Sequence, residues 1–63
     1  MLHIQLYRAR KRYRDLVAAV ADEAARRLPD ARLLADLRAR RDEARERAEG
    51  IELEMTMGEA VPA

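Results

Sequence analysis

The sequence predicts an all-α fold in which two helices, joined at Pro29, pack as an antiparallel hairpin. Three observations lead to this prediction: the spacing of apolar residues on both sides of Pro29, a composition rich in Ala, Arg, Leu and Glu, and opposite net charges in the two halves. The apolar residues recur at alternating intervals of three and four, which keeps one narrow stripe facing a partner helix. We therefore expect a coiled-coil type of packing through one stripe per helix.

The first helix is expected from residue 2 to about residue 28. Its stripe contains six residues: Leu2, Leu6, Ala9, Tyr13, Leu16 and Val20. Pro29 is expected to end the helix, because proline lacks an amide hydrogen and disfavours helical geometry at the residue before it. Residues 2 to 7 also alternate between apolar and polar types, so a short strand is an alternative for this segment.

The second helix is expected from residue 31 to about residue 49. Asp30 is the predicted N-cap, since its carboxylate can accept hydrogen bonds from the first free amides. Gly50 is the predicted C-cap, because glycine readily adopts the left-handed conformation that ends many helices. The stripe of this helix contains six residues, interrupted at Arg41: Leu34, Leu37, Ala44, Ala48, Ile51 and Met55.

Residues 51 to 63 are expected to form an extended or strand-like tail after a hairpin domain of residues 1 to 50. Apolar and polar residues alternate from 51 to 57, which is the period of a strand. If this tail paired with residues 2 to 7, the fold would be β-α-α-β. Two strands alone are marginally stable in water, so the all-α hairpin is preferred and the β-α-α-β fold is the second interpretation.

Charge favours antiparallel pairing. Residues 1 to 28 carry seven Lys and Arg against three acids, whereas residues 29 to 63 carry six against nine. Folding at Pro29 would place the basic residues 8 to 14 beside the acidic residues 42 to 49. One long kinked helix would separate these segments beyond the screening length of about 8 to 10 Å. An antiparallel dimer would satisfy the charges equally well.

The small size of the chain suggests that the hairpin associates. A chain of 63 residues with 13 alanines, no Phe, no Trp and no Cys has few large side chains for a core and no disulfide to support it. We expect two hairpins to assemble into a four-helix bundle, or one hairpin to pack on a larger partner.

The residue inventory argues against an enzyme. The chain has no Ser, no Cys, one Thr and one His, so no nucleophile with an adjacent base can be assembled from it. The acidic residues have no His partners at metal-ligand spacing, and neither a metal nor another cofactor is expected. The sequence contains no run of about 20 apolar residues that could span a membrane, and a cytoplasmic location is expected.

The sequence therefore predicts a small protein–protein interaction module, such as an adaptor, inhibitor or regulator, that binds a protein partner or a second copy of itself. The stripes and the tail would supply the contact residues. The candidate partner-binding residues are Leu6, Tyr13, Leu16, Val20, Leu34, Leu37, Ile51 and Leu53.

The alternative function is nucleic-acid binding through the basic segment, residues 8 to 14. This segment has five positive charges and is accompanied by Tyr7 and Tyr13, a combination that can neutralise phosphates and stack on bases. The candidate nucleic-acid-binding residues are Arg8, Arg10, Lys11, Arg12 and Arg14. The net charge of only +1 favours instead the interpretation that these cations pair with acidic protein surfaces.

Overall fold

The computed structural model describes residues 2 to 60, which form two α-helices. Helix α1 spans Leu2–Ala24 and helix α2 spans Ala31–Ala60. The helices pack against each other as an antiparallel hairpin, and the protein measures 57 × 16 × 13 Å. The predicted all-α hairpin is confirmed. Residues 2 to 60 contain no strand, so the β-α-α-β interpretation is wrong. Assembly into a four-helix bundle stays a prediction.

Helix α1 ends at Ala24, one turn before the predicted end near residue 28. The backbone N–H of Ala25 still donates to the carbonyl of Ala21 at 3.0 Å, but that of Arg26 donates to the carbonyl of Glu23, only three residues earlier, at 3.2 Å. This tighter bond marks the exit from the helix. The chain leaves α1 early because six residues, 25 to 30, are used to reverse its direction before α2 begins.

The carboxylate of Glu23 links the two ends of this connection. One oxygen, Oε2, accepts the backbone N–H of Asp30 at 2.9 Å, and Oε1 accepts a hydrogen bond from Nη1 of Arg26 at 3.2 Å. Glu23 is only 5% exposed. The hydrogen bond from the Asp30 amide is the main reason that the pKa of Glu23 lies below its ordinary value, although burial opposes the shift.

We expect the stability of the hairpin to depend on pH through Glu23. A carboxyl group whose pKa is lowered by folding stabilises the fold above its unfolded pKa, about 4.3, and that contribution is lost as the pH falls through the folded pKa. Between pH 7 and pH 3, the thermal midpoint of the wild type should therefore fall by a few degrees more than that of Glu23→Gln. Circular dichroism melts of both proteins measure this difference. Equal losses on acidification would contradict the role of Glu23.

Asp30 caps α2 as predicted. Its Oδ1 accepts the backbone N–H groups of Arg32 at 3.0 Å and Leu33 at 3.1 Å. These are amides of the first turn, which have no partner within the helix. Glu23 and Asp30 together accept three backbone N–H groups at the start of α2, those of Asp30, Arg32 and Leu33.

Helix α2 continues through Gly50 to Ala60, so the predicted C-cap at Gly50 is wrong. No glycine in the described residues has the positive φ that a left-handed cap requires. Helical continuation keeps Ile51 and Met55 on the stripe, one turn apart, whereas an extended chain would separate Ile51 from the core face. The predicted extended tail is therefore wrong for residues 51 to 60. Residues 61 to 63 lie outside the described part of the chain.

The best-packed part of the core lies near the open end of the hairpin, which we define as the end containing Leu2 and Ala60. Leu6 and Ala9 of α1 form a buried cluster there with Ala48 and Ile51 of α2, and Met55 packs against it. Ala44 is the remaining buried apolar residue of the described chain. Three of these five buried residues are alanines, which allow the helices to approach closely.

Candidate interaction surfaces

The predicted stripes mostly face each other across the hairpin. Of the eight candidate partner-binding residues, the structure places two in the core, Leu6 and Ile51; five are half-buried along the seam, Tyr13, Leu16, Val20, Leu34 and Leu37; and Leu53 is exposed. Leu53 lies two residues after Ile51, and a turn of about 100° per residue directs it away from the core. The hairpin itself therefore covers most of the surface that was predicted to meet a partner.

Large apolar side chains remain outside this seam. Among the described residues only two large apolar side chains, Leu6 and Ile51, are buried, whereas eight are between 38% and 85% exposed. Three of the eight lie in the half nearer the connection and five near the open end. These eight residues are Val17, Leu28 and Leu33 in the first group, and Leu2, Ile4, Tyr7, Leu53 and Met57 in the second.

The outward-facing residues near the open end form two small pairs. Ile4 and Tyr7 are three residues apart on α1, and Leu53 and Met57 are four residues apart on α2, so each pair lies on one helix face. All four side chains are more than half exposed, from 54% for Ile4 to 63% for Tyr7. The open end thus presents apolar surface on the outside of both helices as well as in the core between them.

The hairpin distributes the predicted basic segment over several faces. Arg10 pairs with Glu52 of α2, with Nη2 2.6 Å and Nε 3.0 Å from Oε1. Lys11 pairs with Asp15 on its own helix at 3.0 Å. The side chain of Arg14 lines a shallow depression of about 440 Å³ on α1, shared with Tyr7 and four other residues. Arg10 lines the same depression as Arg14, whereas Arg8 and Arg12 lie together on the other side of the seam.

Arg8 and Arg12 face two further arginines across a groove between the helices. The groove has a volume of about 330 Å³ and is lined by Arg8 and Arg12 from α1 and by Arg40 and Arg47 from α2. We call it the arginine groove. The remaining residues that line it are Gln5, Ala9, Glu43 and Ala44. Because Ala9 and Ala44 are small and buried, the groove runs close to the line along which the helices meet.

The arginine groove has an excess of positive charge. Its lining contains four arginines and one carboxylate, that of Glu43. Arg40 pairs with Asp36 on its own helix at 3.0 Å. Within residues 2 to 57, whose side chains the structure describes, no salt bridge joins the other three arginines of the groove to a carboxylate. The predicted neutralisation of the basic segment by α2 does not occur on this side.

A depression on the opposite side of the seam is balanced in charge. There the Arg10–Glu52 pair lies beside Arg45 and Glu49, so two arginines meet two glutamates. In the described part of the chain, Arg10–Glu52 is the one salt bridge between the helices. The acidic partner is Glu52 and not a residue between 42 and 49, because α2 continues as a helix beyond Gly50.

Sequence reasoning missed Arg40 and Arg47 as members of a site. A usable signal was present: both residues immediately precede a stripe position, 41 and 48, as Arg12 precedes Tyr13. In an antiparallel helix pair, residues that precede the stripe on each helix lie on the same side of the seam. The two arginines could therefore have been grouped with Arg12 before the structure was known.

Neither helix combines the length and the apolarity needed to cross a membrane, within the described residues 2 to 60. The same residues contain no group of three or more His, Cys, Asp or Glu that could hold a metal ion. Comparison with models of known protein families, with curated proteins and with solved structures finds no match to this chain.

Proposed function

We propose that this chain is a non-enzymatic protein–protein interaction module of the adaptor, inhibitor or regulator type. The observation that carries the proposal is the imbalance of apolar surface: two large apolar side chains are buried in the described residues and eight are exposed. A hairpin one helix pair thick, 16 × 13 Å in cross-section, cannot enclose more. Association with a second copy or another protein is the means by which the remaining apolar surface leaves water.

The outward pair of Leu53 and Met57 is the part of this surface that association can cover without disturbing the hairpin. The two side chains are 60% and 61% exposed and lie one turn apart on the face opposite the core. A helix of a partner packs well against apolar residues with this spacing. Full burial of one such side chain contributes about 1.5 to 3 kcal/mol.

Sedimentation equilibrium over a micromolar concentration series tests the proposal. We expect the wild type to form a defined dimer and the double variant Leu53→Gln/Met57→Gln to dissociate at concentrations at least about tenfold higher, since about 1.4 kcal/mol corresponds to tenfold. The matched control is Ala35→Gln/Ala39→Gln. It introduces the same side chains at the same spacing, at two exposed positions of the same helix.

The sedimentation result also distinguishes a second copy of the chain from a different protein as the partner. A wild-type chain that is monomeric and only weakly helical in isolation would need a different protein to fold against, as the proposal allows. A monomer that is fully helical and resists thermal unfolding would have no need of a partner, and would contradict the proposal.

A further inference from the structure

We propose that the arginine groove binds the sugar-phosphate backbone of a single-stranded nucleic acid. This inference is independent of the proposed function, because the groove lies on one side of the seam and does not include the exposed apolar pairs. It also differs from the sequence-based nucleic-acid hypothesis. It includes Arg40 and Arg47 of α2, which that hypothesis lacked, and it leaves out Arg10 and Arg14.

The arrangement of the four arginines opposes the stability of the hairpin. Arg8 and Arg12 are four residues apart on α1, a spacing at which like charges repel. Antiparallel helices normally place opposite charges at such flanking positions, as the other side of the seam does with Arg10 and Glu52. A small hairpin of low stability that keeps four arginines on one side of the seam does not follow this charge pairing. Positions that lower stability in this way are typical of functional sites.

Three of the four arginines in the groove are available to a ligand. Arg8, Arg12 and Arg47 make no salt bridge with any side chain of residues 2 to 57. Glu43 lines the same groove and repels anions, so an isolated small anion gains little there. A ligand that carries several negative charges along its length overcomes this repulsion, because each arginine then meets its own anionic group.

The length of the groove also fits a phosphate backbone. At a rise of about 1.5 Å per residue, Arg8 and Arg12 are separated by about 6 Å along the axis, and Arg40 and Arg47 by about 10 Å. The arginines are therefore spread over a length of about 10 Å, and an extended phosphate backbone that lies along the groove meets more than one of them. Guanidinium groups bind phosphates through two parallel hydrogen bonds.

The groove suits a single strand better than a duplex. Proteins that read duplex DNA place a projecting helix or ribbon in the major groove. Here the arginines flank a recess between two adjacent helices, above the buried Ala9 and Ala44. The site therefore receives a backbone and presents no element that enters a duplex groove.

Fluorescence anisotropy with a labelled oligothymidylate tests the proposal. We expect Arg12→Gln/Arg47→Gln to weaken binding by about tenfold or more at low salt. The matched control, Arg14→Gln/Arg45→Gln, also removes one positive charge from each helix, but Arg14 and Arg45 do not line the arginine groove. The control should weaken binding by less than about twofold. The salt dependence should become shallower by about 1.4 in log K against log salt for the groove variant, since each lost phosphate contact removes about 0.7.

Circular dichroism separates loss of the site from loss of the fold. The groove variant removes repulsion between arginines, so its thermal midpoint without ligand should equal or exceed that of the wild type. Equal losses of affinity in the groove variant and the control would overturn the proposal, because they would indicate attraction to charge in general. So would the absence of binding by the wild type, tighter binding of a duplex, or equally effective competition by polyglutamate.

Discussion

Replacing Ile51 by Ala is expected to remove a large fraction of the stability of the hairpin, whereas replacing Leu53 by Ala should change that stability little. Ile51 is 8% exposed and packs in the cluster with Leu6, while Leu53 is 60% exposed on the opposite face of the same helix. Truncation of a buried isoleucine costs about 2 to 5 kcal/mol. A folded chain of 63 residues has a total stability of about 3 to 9 kcal/mol, so this loss is a large fraction of it.

Urea unfolding followed by circular dichroism at low protein concentration measures both effects, since dilution reduces any contribution from association. The comparison tests the course of α2 directly. If residues 51 to 57 formed an extended tail, Ile51 and Leu53 would lie on the same face and the two variants would lose similar stability. Similar losses would therefore contradict the continuous helix.

Replacing Ala48 by Leu is expected to destabilise the hairpin by about 1 to 3 kcal/mol, the usual cost of adding methylenes to a packed site. Ala48 is 6% exposed and lies in the buried cluster where the helices approach each other closely. A larger side chain must push the helices apart and loosen Leu6 and Ile51. The increase in apolar surface does not compensate, because the wider seam admits water.

Ala39→Leu is the control for this experiment. Ala39 is an exposed position of α2, so the same substitution there meets no packed neighbour. Its thermal midpoint should change little, because leucine and alanine both favour helices. If Ala48→Leu were as stable as Ala39→Leu, the close approach of the helices at Ala48 would be wrong.

The features that can be predicted from the sequence are those that interactions between nearby residues determine. Asp30 marks the start of α2, because a capping carboxylate acts within a few residues, and Pro29 lies in the connection that separates the two helices. The spacing of the apolar stripes also predicts which residues lie on the seam, because it matches the period of a helix. The partners in the core, Leu6 and Ile51, both belong to the predicted stripes.

The errors arose where tertiary contacts outweigh a local preference. Gly50 resembles a C-cap by its residue type, but Ile51 and Met55 gain more from continued packing on the core than a glycine costs in a helix, about 1 kcal/mol. The end of α1 was misplaced because the buried Glu23 bonds to Asp30, a contact across the connection that no local pattern indicates.

Tertiary contacts also divide the predicted nucleic-acid site, residues 8 to 14, between different sides of the hairpin. The basic segment is continuous in sequence, yet a helix directs successive arginines to different sides, and the position of α2 decides which of them acquire partners. Arg10 meets Glu52, whereas Arg12 lies beside the groove that Arg40 and Arg47 also line. Composition and spacing predict the charges of α1 but not the charges placed opposite them.

The location of the buried cluster also determines how the chain gains its stability. The connection joins the helices at one end, while Leu6 and Ile51 meet at the other, across 45 residues of chain. Loop-closure entropy makes that contact about 1.6 kcal/mol more costly than the Glu23–Asp30 contact, which spans seven residues. The seam between these two contacts is only half-buried, so its packing offsets little of the loop-closure cost until Leu6 and Ile51 meet. We therefore expect the hairpin to form as one cooperative unit, with amide hydrogen exchange equally protected on both sides of the connection, and not by progressive closure from the turn.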